Sequence, residues 1–171
     1  MLVFPRALAL GVLLRVADAD DAPILRHVFA STRKADLIAT GLTAAMMDQL
    51  IDIQFRAQNM QFEANYPALQ QLAVVCDDTP IGRLYLDEAE DRVTLVDIAL
   101  LTEMRGKGIG TAILGDVIEL AAGRRVELHV ARDNPARRLY LRAGFITRNE
   151  GPAYDRMEYR AIPLVGETNS C

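Results

Sequence analysis

Arg105-Gly-Lys-Gly-Ile-Gly110 sets three glycines in alternation between an apolar run, Val93 to Leu101, and a helix-patterned run, Thr111 to Ala122. Glycine accepts backbone angles that let successive N–H groups crowd toward one point. A helix starting there adds its own unpaired amides and the positive end of its dipole. Gly106, Lys107, Gly108, Ile109, Gly110 and Thr111 therefore read as a cradle for a pyrophosphate-like anion. Two familiar phosphate loops are excluded. The G-x-G-x-x-G fingerprint fails because Gly106 and Gly108 are followed by Gly110 and Thr111, and no window supplies G-x-x-x-x-G-K-[ST].

Two titratable residues interrupt apolar strand patterns nearby: Asp97, and His129 within Val126-Glu-Leu-His-Val130. On neighbouring strands they would meet as an orienting carboxylate and a base. The competing readings are a core histidine bonded to a backbone carbonyl and an aspartate acting only as a structural acceptor. His27 and His129 are the only histidines, and neither has a Cys or His partner at ligand spacing, so no metal is expected. Cys76 sits in an apolar run and Cys171 at the terminus, which gives no disulfide framework and suits a reducing compartment.

Arg105, Gly108 and Gly110 form R-x-x-G-x-G, and a second motif follows downstream. Asp133-Asn134-Pro135 opens a helix with a capping side chain and a proline in the first turn. The helix runs through Ala136 to Ala143 and stops at Gly144-Phe145, giving N-P-A-x-x-L-Y-x-x-x-G-F. In this order the two motifs resemble the acyl-coenzyme A binding core of the GNAT superfamily of N-acetyltransferases, over about Leu13 to Arg160. Asn134 stands one position closer to Tyr140 than in many relatives, a departure that bears on where the helix begins.

The resemblance implies direct transfer of an acetyl group from acetyl-CoA to an amine of a small molecule or peptide. It implies that Arg105 to Thr111 hold the pyrophosphate and that Ala99, Leu100 and Leu101 pair with the pantetheine arm. Asn134 would lie near that arm and Tyr140 beside the sulfur. An amine must be neutral to attack, and the departing thiolate needs an acid. Tyr140 fits the acid, since a phenol with a reference pKa near ~10 stays protonated at neutral pH. For the base the candidates are His129, with Asp97 holding its tautomer, or water. Some relatives carry a carboxylate earlier in the strand, where this chain has Thr94. Arg105, Lys107, Arg132, Arg137 and Arg138 form a basic group near the cradle, and Arg137 is counted with the cofactor residues. The acceptor pocket is expected from Ser31 to Tyr66 and Glu150 to Arg156. There Gln54, Gln58, Asn59, Gln61, Glu63, Asn65 and Tyr66 form an amide-rich stretch. A second class, a non-catalytic acyl-CoA binding or sensing module, would keep the cradle and lose turnover.

These residues need elements to carry them. Leu13 to Val16 reads as a first strand, with Ala17-Asp-Ala-Asp-Asp21 capping a helix from Ala22 to Thr32. Thr43 to about Met60 is a longer helix with apolar residues on more than one stripe. Leu72 to Cys76 and Ile81 to Leu86 are strands joined by the turn Asp77-Asp-Thr-Pro80. The strand ending at Leu101, the cofactor helix, the Val126 strand and the Tyr140 helix follow. Two short strands, Phe145 to Asn149 and Asp155 to Ala161, close the order β-α-α-β-β-β-α-β-α-β-β. The expected fold class is α/β (α+β): a GNAT-type mixed, mostly antiparallel, splayed central sheet with helices on both faces. With 171 residues and 51% hydrophobic content the chain supports one domain. Its expected span is 13–161, with an N-terminal extension at 1–12 and a tail at 162–171. A net charge of −4 argues against a nucleic-acid binder. The apolar N-terminus lacks the basic flank of a signal peptide and is too short to span a bilayer. A cytoplasmic protein with no membrane or nucleic-acid partner is expected, and a homodimer is compatible with this reading.

Overall fold

The computed structural model describes residues 2–38 and 40–160. Its centre is a seven-stranded sheet in the order β1-β2-β3-β4-β5-β7-β6. The strands are β1 (Val12–Val16), β2 (Leu69–Cys76), β3 (Thr79–Glu88), β4 (Arg92–Leu100), β5 (Arg125–Ala131), β6 (Ile146–Glu150) and β7 (Tyr154–Tyr159). All neighbours are antiparallel except β4 and β5. This is the mixed, mostly antiparallel sheet expected from the sequence.

Among the described residues five α-helices complete it: α1 (Pro5–Leu8), α2 (Ala22–Ile38), α3 (Ala44–Asn65), α4 (Ile109–Leu120) and α5 (Ala136–Arg142). Period-2 alternation sends Leu84, Leu86, Val93, Leu95 and Val126 to the face that packs Ile113, Leu114 and Val117 of α4, the main core. The opposite face of β3 and β4 lies under α2, where Val28 meets Ala99 and Leu101.

The residues before Gly11, expected as an extension without assigned structure, include α1, which packs on α4. Phe4 and Ala7 are buried. The buried Asp116 of α4 accepts hydrogen bonds from the Arg6 and Ala7 amides at 3.0 and 2.9 Å, satisfying groups that a helix start leaves unpaired. Helix α2 begins as expected from the acidic run. Asp18 accepts from the Asp20 amide and Asp21 from the Asp18 amide, each at 2.9 Å, and Arg15 forks onto Asp21 at 2.6 and 2.8 Å. Both long helices outrun their expected ends, α2 reaching Ile38 and α3 reaching Asn65. The β2–β3 turn is tighter than expected. Asp77 and Asp78 alone form it with φ of 47° and 59°, the left-handed pair that a two-residue hairpin prefers, while Thr79 and Pro80 already pair with β2.

One irregularity shapes the site. Opposite adjacent Tyr85 and Leu86 of β3, strand β4 places Asp97 and Leu95, so Val96 is the extra residue of a bulge. A bulge bends its strand and strengthens its twist. Beyond that point β4 and β5 part company: their ladder ends at Leu95 and Leu128, although β4 continues to Leu100 and β5 to Ala131.

Candidate active site

The glycine run lies where the sequence placed it, between the end of β4 and the start of α4. Gly106 and Gly108 have φ of 75° and 83°, which a side-chain-bearing residue rarely adopts, and Gly108 directly precedes the first turn of α4. The first turn bond into α4 is from the Ala112 amide to the Gly108 carbonyl at 3.0 Å. The N–H groups from Gly106 to Thr111 therefore have no backbone partner among the described residues. An added Cβ at Gly106 or Gly108 would meet nothing within 4 Å, so the space above these amides is open. Unpaired amides, open space and a helix N-terminus together make an anion site. Lys107 is exposed beside it. Arg105 is committed otherwise: its Nε donates to the Leu100 carbonyl at 2.9 Å, tying the loop to the strand end.

Ala99, Leu100 and Leu101 hold the end of β4. On one side Arg83 pairs with Ala99 and Gly82 with Leu100, and the Leu101 amide donates to the Ile81 carbonyl at 2.9 Å. The other edge, facing β5, carries no ladder past Leu95 among the described residues. An extended ligand arm can add to such an edge as a strand does.

Helix α5 starts from the cap the sequence indicated. Asn134 Oδ1 accepts from the Ala136 amide at 2.9 Å, and the Arg137 amide donates to the Asn134 carbonyl at 3.0 Å. Helix α5 packs its Leu139 on Gly110 at the start of α4, at 3.6 Å from a Cβ built there. Tyr140 is buried, its ring 5.8 Å from that of Phe145. Burial first, and the charge of Asp97 second, hold the Tyr140 phenol above its ordinary pKa.

The expected contact between Asp97 and His129 is not formed. Asp97 accepts from Arg83 Nε at 2.6 Å, while His129 is exposed and stands opposite Arg156 in the β5–β7 ladder. No hydrogen bond or ion pair joins Asp97 and His129 among the described residues. The reason is the divergence after Leu95 and Leu128, which carries the two strands apart before either residue is reached.

Arg83 is the site residue that sequence reasoning missed. Its side chain is only 2% exposed. The guanidinium lies 5.5, 5.9 and 5.2 Å from the rings of Phe29, Phe55 and Tyr85, and its Nη2 donates to Gln58 at 2.9 Å. Arg83 Nη1, the Tyr85 hydroxyl and Asn59 Oδ1 are buried without a partner among the described residues. Period 2 along Ile81-Gly-Arg-Leu-Tyr-Leu86 puts Arg83 and Tyr85 on one face, and a charge at an inward strand position was the signal available.

The amide-rich stretch of α3 divides accordingly. Gln58 and Asn59 turn inward, whereas Gln54, Gln61, Glu63 and Asn65 are exposed. The basic group near the cradle is largely engaged. Arg132 and Arg137 both pair with the buried Asp155 at 3.1 Å, and Arg132 also with Glu150 at 3.0 Å. These arginines, with Asn134, Pro135 and Arg138, line an open cleft of about 380 Å³. No group of acidic, His or Cys side chains that could hold a metal ion occurs among the described residues. Nor is any described helix long and apolar enough to cross a membrane. Cys76 is a free thiol, and Cys171 lies outside the described residues.

Residues 41–145 match the model of the acetyltransferase (GNAT) family. No curated protein matches the sequence. Among solved structures the chain is similar to PaiA N-acetyltransferase from Thermoplasma acidophilum in complex with coenzyme A. Identity is 19% and the TM-score 0.67, over 88% of this chain and 99% of that one. It is also similar to an acetyltransferase from Thermus thermophilus, at 22% identity and a TM-score of 0.62, over 88% and 97% of the two chains. Ard1 from Thermoplasma volcanium aligns at 14% identity and a TM-score of 0.61, over 89% and 99%. At these identities the likeness is one of fold.

Proposed function

This chain belongs to the acetyltransferase (GNAT) family, and on that premise we propose that it moves an acetyl group from acetyl-CoA to a primary amine of a small molecule or peptide. The observation that carries the reading is the row of unpaired amides from Gly106 to Thr111, set beside a strand whose second edge is free beyond Leu95. Acetyl-CoA supplies a thioester open to attack and a thiolate leaving group.

In this reading the amides of Gly106, Lys107, Gly108, Ile109, Gly110 and Thr111 take the pyrophosphate, with Lys107 adding charge. The free edge at Ala99, Leu100 and Leu101 takes the pantetheine arm. Arg105 fixes the loop through Leu100, and Asn134 starts the helix that aims Tyr140. Arg137, held by Asp155, supports the wall of the cleft. Tyr140 donates the proton that quenches the thiolate. Arg83 bonds only one oxygen of Asp97, Oδ2, so the other is available for the acceptor ammonium. The ammonium loses its proton to solvent before the neutral amine attacks the thioester carbonyl, and Tyr140 regains its proton from solvent after the thiol leaves.

A screen of primary amines for acetyl-CoA dependent thiol release tests the reaction. Turnover of any acceptor discards the sensing alternative, and binding of acetyl-CoA without turnover of any amine supports that alternative. The cradle has its own test. In Gly108→Val a β-branched residue must adopt a left-handed conformation, strained by about 1–2 kcal/mol, and the anion site closes. Coenzyme A affinity measured by calorimetry should fall about tenfold or more. Unchanged affinity in the folded variant removes the cradle from the reading.

His129→Gln is expected to keep both kcat and its pH dependence. His129 is exposed, and Asp97 is bonded to Arg83 instead. A lower kcat or an altered pH profile in that variant would restore His129 as the base.

A further inference from the structure

Helix α3 uses its two sides differently. Toward the sheet, Phe55 and Gln58 meet Arg83, and Phe62 sets its ring edge-on to Tyr85 at 6.1 Å. Toward solvent, Ile53, Ala57, Met60 and Ala64 are all exposed, Ile53 at 66% and Met60 at 70%. Their spacing alternates four and three residues, the seam spacing of a coiled coil and not that of a helix whose outer face is solvated. No residue of this 22-residue helix is fully buried, and the described residues leave the seam uncovered.

We propose that a second copy of this chain covers it, with α3 packed antiparallel on α3 of the partner about a twofold axis at the level of Gln58 and Asn59. One register satisfies both shape and charge. It sets Ile53 of one copy opposite Ala64 of the other and Met60 opposite Ala57, a large side chain against a small one in each layer. The same register brings Arg56 beside Glu63 on one flank and Gln54 beside Gln61 on the other, and the twofold axis repeats each pair. All four flanking residues are exposed and free to meet a partner surface. Parallel pairing would stack Ile53 on Ile53 and Met60 on Met60 and would oppose Arg56 to Gln61, leaving the charges unmatched. Because the inner face of α3 roofs Arg83, the contact also holds that roof in place. The proposal is independent of the reaction assigned above.

Sedimentation equilibrium on the full chain tests it. The wild-type chain is expected to dimerise, and Ile53→Glu to be monomeric with an unchanged circular dichroism spectrum. Arg56→Glu and Glu63→Arg should each raise the dimer dissociation constant by about tenfold, because attraction becomes repulsion at both symmetry-related pairs. Combined, they should restore it, a coupling that misfolding would not produce. A wild-type chain that stays monomeric overturns the proposal, as does a dimer indifferent to Ile53→Glu or charge reversals that fail to rescue each other. A monomer that binds anionic vesicles through Ile53 also overturns it, and assigns the face to a membrane surface.

Discussion

Tyr140→Phe should lower kcat by about 10²–10⁴-fold, the usual worth of a positioned general acid, while leaving acetyl-CoA affinity close to that of the native chain. The substitution removes one oxygen and keeps the ring that packs against Phe145 at 5.8 Å, so the core it belongs to survives. A proton on the leaving sulfur matters as the carbon–sulfur bond breaks and far less in the bound ground state, so the loss falls on kcat. The pH dependence has a defined sign. Burial, aided by the charge of Asp97, raises the Tyr140 pKa, so the acid form persists to higher pH than a free phenol allows. No fall in kcat from Tyr140 ionisation is therefore expected up to about pH 10, the ordinary phenol value. Single-turnover measurements isolate chemistry from product release. An unaltered single-turnover rate would remove Tyr140 from the mechanism.

The parts of this site readable in the sequence are those set by local backbone chemistry. The glycines of the Arg105 to Gly110 run need no tertiary context to announce a left-handed turn before a helix, and Asn134-Pro135 announces a helix start in the same way. Strand existence followed from short apolar runs bounded by turn residues, and the order of elements held throughout, with α1 added at the front. What escaped notice depends on residues far apart in the chain. Helix α1 is stabilised by Asp116, which is more than a hundred positions away, and nothing local in Pro5 to Leu8 signals that partner. The bulge at Val96 arises from pairing with β3 and is invisible in an apolar run, yet it separates Asp97 from His129. Arg83 was legible only as a charge in a strand. Its aromatic surroundings come from α2, α3 and β3 together.

Asp97→Ala is expected to destabilise the fold by about 3–5 kcal/mol, the usual consequence of leaving one member of a buried ion pair alone. Arg83 is 2% exposed and Asp97 23%, so the guanidinium left behind would have almost no water to replace the 2.6 Å bond it loses. The Phe29, Phe55 and Tyr85 rings around it offset part of that loss, because a desolvated cation over aromatic faces gains about 2 kcal/mol or more, but they hold no carboxylate. Exchanging both members for apolar residues of similar size, Arg83→Met with Asp97→Leu, removes the uncompensated charge as well as the pair. Such exchanges are commonly neutral or stabilising, so urea denaturation of the double variant should recover most of what Asp97→Ala loses. If the pair existed for stability, activity would recover with it. The proposed mechanism requires the opposite result: a well-folded double variant, with coenzyme A affinity intact, whose KM for the acceptor amine rises and whose kcat falls because no carboxylate holds the ammonium opposite Tyr140. Recovery of acceptor KM and kcat along with stability would return Arg83 and Asp97 to the core as structural residues. Loss of the acceptor parameters alone would assign the carboxylate to substrate, and the buried arginine to holding it there.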